Sequence, residues 1–200
     1  MKKLLTIAMI AIVSSIYTFG QSGDVEKSLK SIEGQWKVDQ DQNVTYQIII
    51  TDSTLKKDEI CNRVMNHFIY DNGTGKGAVQ TQNKETGIVE TRGLWNDVHR
   101  GYWIVSTKVS THILVRVEVK DFRARVTLSL TEYDIISQSG AVTMKVSSTF
   151  PANPNGGLKT QMGKAFYNSH LKVMETFNAI TKAIREGNIP QRVDFNKKDW

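Results

Sequence analysis

The chain has 200 residues, a formal charge of +6 and one cysteine, Cys61. That length suffices for one domain with a real core. A lone cysteine excludes an intramolecular disulfide and a cysteine-based zinc cluster.

Lys2 and Lys3 precede a short apolar run, LLTIAMIAIV (Leu4 to Val13), and a more polar segment ends near Thr18-Phe19-Gly20. This is the pattern of a secretory signal peptide over residues 1–20, too short and wrongly flanked for a membrane span. Cleavage near Gly20/Gln21 exposes no cysteine, so the mature chain is not expected to be a lipoprotein. It is expected to be soluble and exported, to the periplasm or the cell exterior. Loss of Lys2 and Lys3 takes the charge from +6 to +4. That is ordinary surface chemistry, and no nucleic-acid partner is expected from it. No later apolar run is long enough to cross a bilayer.

Residues 21–35 are polar and read as a poorly ordered N-terminal tether. A single α+β domain is expected over residues 36–186. After the polar turn at Gln40 to Asn43, the β-branched and aromatic run VTYQIIIT, Val44 to Thr51, predicts a strand. Ile60, Val64 and Phe68 recur every four residues and predict an amphipathic helix. Asp58 and Glu59 suit its positive end, and Asn72-Gly73 would stop it. Ala78–Gln82 and Gly87–Arg92 read as two short strands. Residues 94–108 show no clear period, and their structure is left open.

ILVRVEVKDFRARVTLSL predicts a hairpin. Ile113, Val115, Val117 and Val119 lie on one face, with Phe122, Ala124, Val126, Leu128 and Leu130 opposite them. A two-residue turn at Lys120-Asp121 would set Val119 against Phe122 and Glu118 against Arg123. It would also oppose Arg116 and Arg125. Ala141 to Phe150 reads as a further strand, and PANPNGG, Pro151 to Gly157, as a loop. Leu158, Met162, Phe166, Val173, Phe177, Ile180 and Ile184 predict a long helix that Ser169-His170 interrupts. Gly187 and Pro190 end it, leaving a polar tail over residues 187–200.

Four strings go further: QWKVDQDQNVTYQIII, KKDEICNRVMNHF, NKETGIVETRG and VEVKDFRARVTL. They resemble a family of secreted bacterial domains of unknown function (domain of unknown function 4468) whose fold is like that of the TATA-binding protein. The resemblance covers roughly Gln35 to Asp134. It implies an α+β fold: a curved antiparallel sheet of about five strands in β-α-β-β-β-β-α order, with the long C-terminal helix packed on the sheet. Two positions depart from the family pattern. Lys56 replaces the helix cap, so Ser53 or Thr54 would cap instead. Phe122 replaces a turn glycine, which predicts a turn type without positive φ there, or a turn shifted by one position. The family carries no catalytic residues over to this chain.

Gly73-Thr74-Gly75-Lys76-Gly77 invites a phosphate-loop reading. However, the glycine that motif needs is Tyr70 here, Gly77 replaces its hydroxyl residue, and the loop runs from helix to strand. It reads as a turn. His67, His99, His112 and His170 lie at no metal-ligand spacing, and no cofactor motif is present. Cys61 sits beside the first helix stripe as a small hydrophobe. Arg116, Lys120, Arg123 and Arg125 form a basic patch that reads as a solvated strand face.

The one mixed polar and aromatic cluster outside clear secondary structure is Trp95, Asp97, His99, Arg100 and Trp103. A ligand or partner surface is expected there. The expected function is a non-catalytic binding or scaffolding module of the cell envelope, with a protein or glycan as partner. Two alternatives follow from other residues. Met162, Phe166, Met174 and Phe177 could line a cavity for a small apolar ligand between sheet and helix, and a hydrolase could work from His99 and Asp97.

Overall fold

The computed structural model describes residues 23–70, 79–83, 85–102 and 106–187. The expected signal peptide over residues 1–20, the glycine-rich loop, the expected helix stop at Asn72-Gly73, Trp103 and the expected tail beyond Gly187 lie outside the described residues. Among those residues seven strands form one antiparallel sheet in the order β1-β2-β6-β5-β4-β3, with β7 also on β6. The strands are β1 (Lys37–Val38), β2 (Val44–Thr51), β3 (Val79–Asn83), β4 (Ile88–Tyr102), β5 (Ser106–Lys120), β6 (Arg123–Ser137) and β7 (Gly140–Lys145). Helices α1 (residues 23–31), α2 (Lys57–Tyr70) and α3 (Lys159–Glu186) complete the fold. No helix among the described residues is long and apolar enough to cross a membrane.

The chain packs as two compact units. Unit 1 comprises residues up to Tyr46, Trp95–Ile113 and Ser129–Lys172, and unit 2 the rest.

In unit 1, the expected tether is a helix. Val25 and Ile32 are buried, and Val25 and Leu29 both approach Gly163 of α3. Two apolar side chains too few to register as a period are enough to anchor α1. Ser169-His170 does not interrupt α3. Both side chains are buried on the same stripe as Met162, Phe166 and Val173. The Ser169 hydroxyl hydrogen-bonds to the Ala165 carbonyl at 2.8 Å and pairs with the Thr111 hydroxyl of β5 at 2.9 Å. A buried hydroxyl is tolerated when satisfied in this way.

In unit 2, β2 and α2 carry the predicted pattern, with Ile50, Ile60, Val64 and Phe68 buried. Each fully buried aliphatic side chain contributes about 1.5–3 kcal/mol relative to exposure. Arg63 of α2 donates through Nη1 to the carbonyls of Ile184 and Arg185 at 2.7 and 3.0 Å. A cation there satisfies orphan C=O groups at the end of α3. Gly187 follows with φ +75 and donates its N–H to the Ala183 carbonyl.

The β5–β6 turn departs from expectation. Its two loop residues are Asp121 and Phe122, one position later than predicted. Phe122 has φ +66, the conformation its side chain was expected to avoid. Three contacts hold it: its N–H donates to the Leu55 carbonyl, its carbonyl accepts the Asp52 N–H, and the Lys56 ammonium lies 4.7 Å from its ring centroid. Neither Ser53 nor Thr54 supplies the helix cap. The Asp121 carboxylate accepts the N–H of Lys57 at 2.9 Å instead.

The turn shift moves the facing residue by two, so the buried faces of β5 and β6 are unchanged. Glu118 pairs with Arg125 at 3.0 Å, not with Arg123, and also lies 3.4 Å from Arg116. The predicted clash of Arg116 with Arg125 is therefore replaced by a shared carboxylate.

Candidate functional site

Residues 94–102, left open by the sequence, continue β4. The reason they show no clean alternation is Asp97, whose φ is +51 in mid-strand. Buried positions run Val89, Thr91 and Trp95, then step to Val98. One residue in left-handed conformation changes the phase, as a β-bulge does. The Asp97 N–H donates to the Ser110 hydroxyl of β5 at 3.1 Å, and the Asn168 amide of α3 donates to the Val98 carbonyl at 2.8 Å.

The expected cluster is divided. Trp95 is a core residue, 4% exposed. Asp97 forms an ion pair with Arg100, so its carboxylate is committed to a guanidinium and not to His99. His99 is half-buried, and burial followed by the Lys164 charge pushes its pKa down. An imidazole beside a cation, with its neighbouring carboxylate engaged elsewhere, is not arranged as a general base.

Unit 1 carries a second constellation, on three adjacent strands. His112 Nε2 of β5 lies 2.7 Å from Asp134 Oδ2 of β6. The Thr143 hydroxyl of β7 donates to Asp134 Oδ1 at 2.7 Å. The Thr143 hydrogen bond is the largest influence on the Asp134 carboxyl and, with the hydrogen bond and charge of His112, holds its pKa below the ordinary value despite the opposing effect of burial. The His112 and Asp134 side chains are 39% and 34% exposed, open enough to meet a partner. A carboxylate that orients an imidazole is half of a nucleophilic triad. Here the hydroxyl sits on the carboxylate, on the far side from the imidazole, so it cannot be activated by the ring. What remains is a preorganised row of polar groups on a half-exposed face of unit 1. Sequence reasoning missed it, because its members lie on different strands and each looks like an ordinary outward residue.

Beneath the sheet of unit 1, Tyr46, Tyr133 and His170 are buried. Burial raises the Tyr46 phenol pKa, helped by nearby Tyr133. It also raises that of Tyr133, partly offset by Ser169. Burial lowers the pKa of His170, whose ring lies 5.6 Å from that of Tyr46. These groups are neutral at physiological pH. Of the residues proposed to line an apolar cavity, Met162 and Phe166 are buried in unit 1, where Phe166 meets Trp36 edge-on at 5.1 Å. Among the described residues no group of three or more His, Cys, Asp or Glu is placed to hold a metal ion.

Two solved structures resemble this chain over most of its length. One is a TBP-like protein from Parabacteroides distasonis, with TM-score 0.55 and 16% identity, covering 74% of this chain and 96% of that one. This chain has a TBP-like fold. The other is a DUF4468 family protein from Bacteroides ovatus, with TM-score 0.56 and 9% identity, covering 76% of this chain and 92% of that one. Both agree with the fold that the sequence resemblance implies. At such identities the TBP-like fold is shared while side-chain roles are not. No family model matches the chain, and no curated protein does.

Proposed function

We propose that this TBP-like chain is an exported, non-catalytic binding or scaffolding module of the bacterial cell envelope. It engages a protein or glycan through the half-exposed face of unit 1 that carries His112, Asp134 and Thr143. The observation that supports this reading is the order of that row, hydroxyl to carboxylate to imidazole, in which the carboxylate orients the ring and the Thr143 hydroxyl lies on its far side. Rigid, prepaid hydrogen bonds of this kind lower the cost of ordering a binding face. Nucleic acid is not the proposed partner. In unit 2 the arginines of the basic patch are interleaved with Glu90 and Glu118, which pair with Arg116 and Arg125, and export separates the protein from the chromosome.

The test is capture from envelope extract with the tagged mature protein, comparing wild type with His112→Ala and Asp134→Asn. The expected result is a component, identified by mass spectrometry, that wild type retains and both variants lose. Identical capture by all three folded proteins, or recovery of the free protein alone, counts against the reading.

A further inference from the structure

Among the described residues strand β7 pairs only with β6, which leaves its other edge open in unit 1. Its pairing runs from Ser137↔Gly140 to Glu132↔Lys145 on β6, and all six of its residues are exposed. Natural sheet edges are guarded by charges, proline or bulges. This strand, Gly-Ala-Val-Thr-Met-Lys, has no proline and one charge at its end, Lys145, which lies 3.8 Å from Glu132. Val142 and Met144 are 52% and 39% exposed, yet they share a face with their register partners Ile135 and Tyr133, which are buried. The apolar stripe therefore runs from the core out to the edge and stops there.

We propose that β7 is a self-pairing edge: two copies of this chain join antiparallel, β7 to β7, about a two-fold axis through Thr143. The strand is self-complementary in that register. Val142 falls opposite Met144 of the second copy, and Met144 opposite Val142, so the apolar stripe continues across the junction. Thr143 meets Thr143, a favourable cross-strand pair. Lys145 falls opposite Ala141, so the strand's charge meets no like charge. Centring the axis on Val142 instead would set Met144 against Gly140 and leave it without a packing partner. Such a junction is isologous and closes at two copies. One strand edge buries less than the roughly 1,200 Å² of a standard interface, so the dimer is weak and concentration-dependent. It does not depend on the partner reading above.

The test is sedimentation of the mature protein over a concentration series, with Met144→Lys and Val142→Lys alongside. Wild type dimerises as concentration rises, and each lysine weakens association at least about tenfold. Both side chains are exposed, so circular dichroism is unchanged; should one variant fail to fold, the other carries the comparison. Thr143→Cys reads the register, because facing residues in an antiparallel pair have Cα atoms about 4.5–5.5 Å apart, within disulfide reach. It oxidises to a covalent dimer, whereas wild type, with Cys61 buried, does not. A wild type that stays monomeric, a dimer that neither lysine weakens, or a Thr143→Cys protein that forms no disulfide overturns the proposal.

Discussion

The Asp121 carboxylate accepts a hydrogen bond from the backbone N–H of Lys57 at 2.9 Å. A hairpin turn thereby caps a helix that begins 64 residues earlier, and one contact ties two elements of unit 2 together. The Lys57 ammonium adds a second tie, donating to the Glu85 carbonyl at 2.5 Å. Asp121→Ala removes the cap and costs about 1 kcal/mol. For a chain of this size that lowers Tm by about 2–4 °C, read by thermal unfolding, and Asp121→Asn loses less because its carbonyl still accepts. A melting temperature unchanged in Asp121→Ala would mean that the cap carries no stability.

Phe122 tests the turn. A non-glycine residue at φ +66 is strained by roughly 1 kcal/mol relative to glycine. Phe122→Gly relieves that strain while losing the contact with Lys56, worth about 0.5–1 kcal/mol at an exposed site. The two effects offset, and stability changes little. Phe122→Ala keeps the strain and loses the ring, so it should unfold at lower urea than Phe122→Gly by about 1 kcal/mol. The reverse order would contradict the observed turn.

Gly163 tests the packing of α1 on α3. Alanine is the better helix former by about 1 kcal/mol, but its Cβ would meet Val25, Leu29 and Phe150 at 2.5, 3.3 and 3.3 Å. Overpacking on three sides costs about 1–3 kcal/mol, so Gly163→Ala is expected to destabilise. Adding Val25→Ala should recover part of the loss in a double-mutant cycle. Net stabilisation by Gly163→Ala would show that α1 does not pack there.

Stability should fall with acid. His99 and His170 both have folded-state pKa values below that of the unfolded chain. Such groups contribute stability that is complete above the unfolded value, near 6.5, and is lost as pH falls from there toward the folded value. Asp134, also depressed, adds a further loss at lower pH, below the ordinary carboxylate range. Urea midpoints should drop as pH falls below the unfolded histidine value near 6.5, and His170→Gln should flatten that drop. A slope unaltered in His170→Gln would remove His170 from the explanation.

Much of the framework was legible because it rests on local periodicity. Val44–Thr51 follows from its run of β-branched and aromatic residues, the two hairpin faces from alternation, and the C-terminal stripe from steps of three and four. What escaped notice depends on partners far along the chain. Phe122 tolerates its left-handed backbone because the segment between Asp52 and Leu55 binds both its N–H and its carbonyl. Asp97 hides the second half of β4 by shifting its phase. Ser169 looks like an interruption until Thr111 is placed opposite it. The row of His112, Asp134 and Thr143 becomes visible only when three strands are set side by side.

The most direct measurement of the proposed binding face is site-specific photo-crosslinking in the producing cells. A photoreactive residue is placed at His112 and, as control, at Lys182, whose side chain is 74% exposed on α3 in unit 2. The expected result is a covalent product between position 112 and a different envelope component, absent from position 182. No product from position 112, or the same products from both positions, would contradict it.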